Sequence, residues 1–219
     1  QLEVLADTDS DTIPNRDDTN DDNDQYPDLV DACPLVNGNS TVDRSGCKDR
    51  DGDGYSDQGD DFPRVKSQYV DSDLDGYGDN SSGFQADDCP AIFGESNKNG
   101  TYGCIDTDSD GWANIDDHFD NESSQWLDSD GDGYGDEFSG FQGDECKLVF
   151  GNSTVDRFGC PDSDGDGYSN NGDTFPNNPT QYQDSDGDGY GNNQSANATQ
   201  VDAFPSDGTQ WNDTDGDGH

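Results

Sequence analysis

In the segment DRDGDGYSDQGD, residues 49–60, aspartates stand at Asp49, Asp51, Asp53, Asp57 and Asp60, with Gly54 and Tyr55 between them. Carboxylates at alternate positions of a tightly turned chain converge on one point. At a separation of about 4 Å, two of them repel by roughly 4 kcal/mol at an effective dielectric of 20. Such a cluster therefore calls for a cation. With Asp49 as position 1, side-chain oxygens fall at 1, 3 and 5, a main-chain carbonyl at 7 (Tyr55), a further ligand at 9 (Asp57) and a closing carboxylate at 12 (Asp60). Glycine at 6 makes the sharp turn. This is the ligand pattern of a twelve-residue calcium loop, and calcium is a hard cation that takes six to eight oxygens.

The register recurs. Asp106, Asp108, Asp110, Trp112, Asn114 and Asp117 repeat it, as do Asp162, Asp164, Asp166, Tyr168, Asn170 and Asp173. Asp7, Asp9, Asp11, Ile13, Asn15 and Asp18 form another copy, with Thr12 in place of the glycine. Three longer loops keep the D-x-D-x-D-G opening and lack an acid at position 12. They comprise Asp71, Asp73, Asp75, Tyr77 and Asp79; Asp128, Asp130, Asp132, Tyr134 and Asp136; and Asp184, Asp186, Asp188, Tyr190 and Asn192. Closure by Asp87, Asp144 and Asp202, after an inserted segment, is expected. A degenerate loop is expected between Asp18 and Asp31. The cofactor expected from this pattern is calcium, several ions per chain.

The elements that must position these loops are themselves periodic. Short loops open at 49, 106 and 162, each followed 22 residues later by a long one. The cysteines keep the same beat: Cys33, Cys89 and Cys146 open segments that end at Cys47, Cys104 and Cys160. Local pairing within CPLVNGNSTVDRSGC and CKLVFGNSTVDRFGC is expected, since closing a loop of this size contributes about 3 kcal/mol in the chain-entropy model. Zinc ligation by thiolates has the wrong spacing. The organisation expected is an N-terminal segment with acidic loops (1–32), repeats at 33–88, 89–145 and 146–212, and an incomplete loop at 213–219. Tandem units touch mainly their neighbours, so an elongated rod is expected rather than a ball.

Composition agrees with a fold held by ions and disulfides. Of 219 residues only 26% are hydrophobic, and 52 acidic residues face 9 basic ones for a net charge of -43. Such a composition by itself predicts disorder. All but five of the acids are aspartate, however, the exceptions being Glu3, Glu95, Glu122, Glu137 and Glu145. A merely solvating surface would accept either acid. Aromatic residues recur at position 7 of the loops and in DFPRVKSQYVD, HFDNESSQWLD, TFPNNPTQYQD and AFPSDGTQWND. They are read as miniature cores over the loops in preference to a sugar-stacking surface. Helical periodicity and sustained alternation are absent. The fold class expected is irregular and turn-rich, with short β-strands, disulfide staples and no conventional hydrophobic core.

The runs DRDGDGYSDQGDD, DTDSDGWANIDD, DSDGDGYSNNGD and DSDGDGYGD resemble the thrombospondin type 3 repeat and, more closely, the aspartate-rich repeats of archaeal and bacterial surface proteins. The resemblance covers nearly all residues from Asp7 onward, and it implies calcium wrapped by a chain with little secondary structure. Sequons at Asn39, Asn80, Asn99, Asn121, Asn152, Asn193, Asn197 and Asn212 fit covalently attached glycans on a secreted chain. Disulfides and calcium loops both point to an extracellular or cell-surface location. His118 and His219 are the only histidines, and no nucleophile–base constellation is visible, so an enzyme is not expected. The charge repels nucleic acid, and no stretch is apolar enough to span a membrane. Asp213, Asp215 and Asp217 open a last loop that the sequence does not close. Either it is truncated or a neighbouring copy completes it, which would make the chain a subunit of a head-to-tail filament. The alternatives are a calcium-binding stalk or adhesin segment and an acidic mineral-binding protein.

Overall fold

The computed structural model describes residues 6–216 and 218. Among them there is no helix and no strand, only two isolated parallel bridges, Gly78 with Ala86 and Gly191 with Val201. The expected short strands thus reduce to single bridges. The cause is visible in the hydrogen bonds: the N–H groups that would build a ladder are taken by aspartate side chains or close short turns. Turns dominate because aspartate and asparagine compete with regular structure for nearby backbone donors.

The chain divides into two units, one ending at Asn114 and the other beginning at Ile115. That division falls within the segment 106–117. In the first unit, Cys33–Cys47 and Cys89–Cys104 are bonded, with Cα atoms 5.0 and 5.1 Å apart; in the second, Cys146–Cys160 spans 5.0 Å. Each disulfide closes its own insert, joining cysteines 14 or 15 positions apart, as the near-identical segments suggested.

The interior is polar. Among the described residues the buried apolar side chains are Cys47, Cys104, Ala113 and Cys160, whereas Gln68, Gln125, Gln181, Ser40, Ser153, Asp144 and Asp202 are fully buried. Leu29, Ile115 and Leu148 are exposed. Several tyrosine rings pair between elements, although Phe84, Phe138, Phe141 and Phe150 are exposed. Tyr55 stacks on Tyr69 with ring centroids 4.6 Å apart in the first unit, and Tyr168 on Tyr182 at 4.2 Å and Tyr190 on Trp211 at 5.1 Å in the second. Tyr77 and Tyr134, from long loops, instead meet Tyr102 and Phe158 of the disulfide inserts at a tilt. At position 7, Tyr55, Tyr77, Tyr134, Tyr168 and Tyr190 thus each set a ring against a neighbouring element.

Candidate metal centres

Loop 49–60 shows how the acidic sequence folds locally. Both oxygens of Asp49 accept backbone N–H groups, from Gly52 at 2.7 Å and Gly54 at 3.0 Å. Asp51 accepts from the N–H of Asp53, Asp53 from that of Tyr55 and Asp60 from that of Phe62. One oxygen of each of these three therefore builds the turn. The other, Oδ2, is buried in Asp51 and Asp53 and meets no hydrogen-bond donor. Gly54 sits at φ 106°, the left-handed geometry that glycine adopts without penalty and that folds the three carboxylates inward. Thr12, at the same position of loop 7–18, takes φ 85° with a β-branched side chain.

The same bonds recur from loop to loop. Asp7, Asp71, Asp106, Asp128, Asp162, Asp184 and Asp213 each accept two N–H groups from the third and fifth residues ahead. The Oδ2 atoms of Asp9, Asp73, Asp130, Asp164, Asp166, Asp186 and Asp188 are buried and lack hydrogen-bond donors. One oxygen from each member of Asp7/Asp9/Asp11, Asp49/Asp51/Asp53, Asp71/Asp73/Asp75 and Asp106/Asp108/Asp110 lies within 4.8 Å of the others. Carboxylates at that separation repel by about 3 to 4 kcal/mol per pair at a dielectric of 20. A hard divalent cation removes the repulsion and supplies the partner that each orphaned oxygen lacks, so the donor set fits such an ion.

Five of the closing carboxylates are buried. Asp60, Asp87, Asp144, Asp173 and Asp202 are 0–8% exposed, and Asp87, Asp144, Asp173 and Asp202 each have a buried Oδ2 without a donor. Burial, reinforced by the charges of their own loops, pushes Asp60, Asp87 and Asp144 from the ordinary 3.8 up to about 6. The acids that raise Asp87 are Asp75, Asp73 and Asp79, so it faces the long loop it was expected to close. Asp144 faces Asp132, Asp130 and Asp136 in the same way. Asp117 accepts the N–H of Phe119.

Buried glutamines hold the inserted segments of the long loops. Gln68 Nε2 donates to the carbonyls of Asn80 and Phe84, while its Oε1 accepts the Asn80 N–H. Gln125 makes the same three bonds to Glu137 and Phe141, and Gln181 to Asn193 and Thr199. A Cβ at Gly78, Gly135 or Gly191 would collide with the glutamine side chain, which explains the glycine at each.

Each disulfide insert touches two acidic loops. The N–H groups of Cys33, Cys89 and Cys146 bind the carboxylates of Asp31, Asp87 and Asp144, which end the preceding loops. Gly38, Gly94 and Gly151 donate to Asp24, Asp75 and Asp132. Farther along, paired N–H groups of Thr41 and Val42, Asn97 and Lys98, and Thr154 and Val155 bind the carbonyls of Gly54, Gly111 and Gly167 in the loops that follow. Asp43 and Asp156 bind both the N–H and the hydroxyl of Ser56 and Ser169. Burial opposes ionisation of these two carboxylates, but the donated bonds win and hold both below the ordinary value.

Three outcomes differ from the sequence expectation. Position 9, expected to contribute a ligand, is bonded elsewhere: Asp57, Asp79, Asp136, Asn15, Asn114, Asn170 and Asn192 each accept the N–H of the residue seven places earlier. Asp79 and Asp136 spend their second oxygen on Ser72 and Ser129, and Asp57 lies 3.3 Å from Arg50. These side chains clasp the loop shut, and only an acceptor oxygen is needed, so Asn and Asp interchange. The degenerate loop begins two residues later than expected, at Asn20, and gathers Asp22, Asp24 and Asp31. Their spacing was readable, but Asn20 at position 1 and Gln25 at position 6 hid it. The sequons also divide. Asn80 and Asn193 are part-buried with Nδ2 donating at 2.8 Å to the carbonyls of Ser67 and Thr180, whereas Asn39, Asn99, Asn121, Asn152, Asn197 and Asn212 are exposed. Asp217 lies outside the described residues.

No protein-family model matches this chain, and no curated protein matches it. Among the described residues no helix is long and apolar enough to cross a membrane.

Proposed function

We propose that this chain is an extracellular structural protein whose tandem acidic loops bind calcium and are stiffened by it, in the manner of the thrombospondin type 3-like arrays its sequence resembles. The observation that carries the reading is the set of buried carboxylate oxygens without donors at position 3 of successive loops, joined in most of them by one at position 5 or in the closing acid. Three disulfides fit an oxidising compartment, where calcium is abundant. The proposed ligands are the side chains at positions 1, 3, 5 and 12 with the carbonyl at 7, while position 9 locks the loop. Calcium would bridge residues about ten apart in sequence and hold each turn in one conformation. At twenty times the dissociation constant, each ion stabilises the folded state by about 2 kcal/mol, and several such loops together outweigh a missing apolar core.

An array stiffened this way suits a subunit of a cell-surface filament or a stalk segment. Electron microscopy of the purified protein in calcium and after EGTA tests the reading. Long uniform fibres that slacken or dissociate in EGTA support the filament, and single particles that stiffen in calcium support the stalk. Particles of identical outline in both conditions would overturn the structural role of calcium.

A further inference from the structure

Residues 20–31 were not among the regular loops, yet they repeat the bonds of those loops. Asp21 N–H donates to Asp28, the clasp between positions 2 and 9, and Asp22 and Asp24 accept the N–H groups two residues ahead. The carbonyl of Pro27 accepts the N–H groups of Val30 and Asp31, as that of Pro14 does for Asp17 and Asp18. These features describe a fold and do not by themselves imply a ligand.

Two further observations do. Asp22 is only 5% exposed, and its Oδ2 has no hydrogen-bond donor although one oxygen of each of Asp22, Asp24 and Asp31 lies within 4.8 Å of the other two. Asn20 Oδ1, at position 1, is buried without a donor as well. A buried carboxylate can relieve its cost by taking up a proton, but an amide oxygen cannot. Only a donor or a cation satisfies it, and leaving a buried acceptor unmade costs roughly 1–3 kcal/mol.

We infer that residues 20–31 form an additional site for a calcium-sized divalent cation, with side-chain ligands from Asn20, Asp22, Asp24 and Asp31. The inference rests on reading the acidic loops as calcium sites. This site differs from the others in chemistry: one ligand is a neutral amide, so its donor set carries one negative charge fewer than that of Asp49, Asp51, Asp53 and Asp60. Ligand charge tunes calcium affinity over orders of magnitude, and the site is accordingly the weaker one. It also abuts the first disulfide insert, whose Gly38 N–H and Asn37 Nδ2 bind Asp24 and the carbonyl of Asp22.

The test is a Ca2+ titration of the full chain by 1H–15N NMR, following the amides of Asp24 and Tyr26 against those of Asp53 and Tyr55. The expected result is a saturable shift at Asp24 and Tyr26 with a midpoint at higher calcium than at Asp53 and Tyr55. Asn20→Asp should lower that midpoint about tenfold and leave Asp53 and Tyr55 unchanged, a gain that misfolding cannot imitate. If Asp53 and Tyr55 titrate while Asp24 and Tyr26 do not respond, or if Asn20→Asp leaves their midpoint where it was, the inference is overturned. If neither pair responds, the calcium reading of the whole array fails instead.

Discussion

At the scale of single residues, the division of labour within one carboxylate matters most. In Asp51 and Asp53, Oδ1 builds the turn and Oδ2 is left for an ion. Asp53→Asn keeps an acceptor for the turn and removes charge, so calcium affinity of loop 49–60 should fall at least tenfold with little loss of fold; calorimetric titration checks this. The closing acids give a pH dependence. Asp60, Asp87 and Asp144 have ion-free values raised to about 6, so between 3.8 and 6 the folded, ion-free state holds more protons than the unfolded one. Its stability is therefore greatest in acid and falls as pH rises through that window. Calcium affinity runs the other way, weakening as pH drops below about 6 because protons compete for the same oxygens. Titrations at pH 5 and 7.5 should show the tighter binding at 7.5; equal affinities would argue that these carboxyls are not ligands. Gln125 and its counterparts were not legible in the sequence, where a glutamine reads as surface. Its burial follows from inserted carbonyls that need donors. Gln125→Ala should destabilise the calcium-loaded chain by roughly 3 kcal/mol, measured by urea unfolding.

At the scale of elements, the disulfide inserts act as joints between ion sites. Insert 33–47 holds Asp31 at one end and the Gly54 carbonyl at the other, and inserts 89–104 and 146–160 repeat the arrangement with Asp87 and Gly111 and with Asp144 and Gly167. Ordering either loop orders the insert, so the second ion meets a site already partly arranged. Replacing Cys146 and Cys160 together by serine should weaken calcium binding at loops 128–144 and 162–173 alike, read from loop-specific NMR shifts. A loss confined to one loop would contradict the coupling. Much of this scale was legible. The register of the acidic loops and the cysteine beat both lie in the sequence, and the disulfides pair as that beat implies. The clasp at position 9 was not, because Asp57 occupies the place of a ligand and only its bond from Arg50 reveals another task. The expected strands failed for a related reason: backbone donors were already committed to aspartates.

At the scale of the whole molecule, a chain with net charge -43 and four buried apolar side chains among its described residues has no ordinary source of stability. Bound cations, assisted by three disulfides, are proposed to fill that role. Withdrawing calcium should therefore loosen the acidic loops cooperatively while the disulfide inserts stay closed, which amide hydrogen exchange in EGTA would register. The central claim is that ions sit among the donorless oxygens. A crystal grown in calcium, measured for anomalous scattering, tests it most directly. A peak is expected within coordination distance of Asp51 and Asp53 Oδ2 and of the Asp60 carboxylate, with equivalent peaks in the other loops. A map without density there, with those carboxyls satisfied by water or protons, would contradict it.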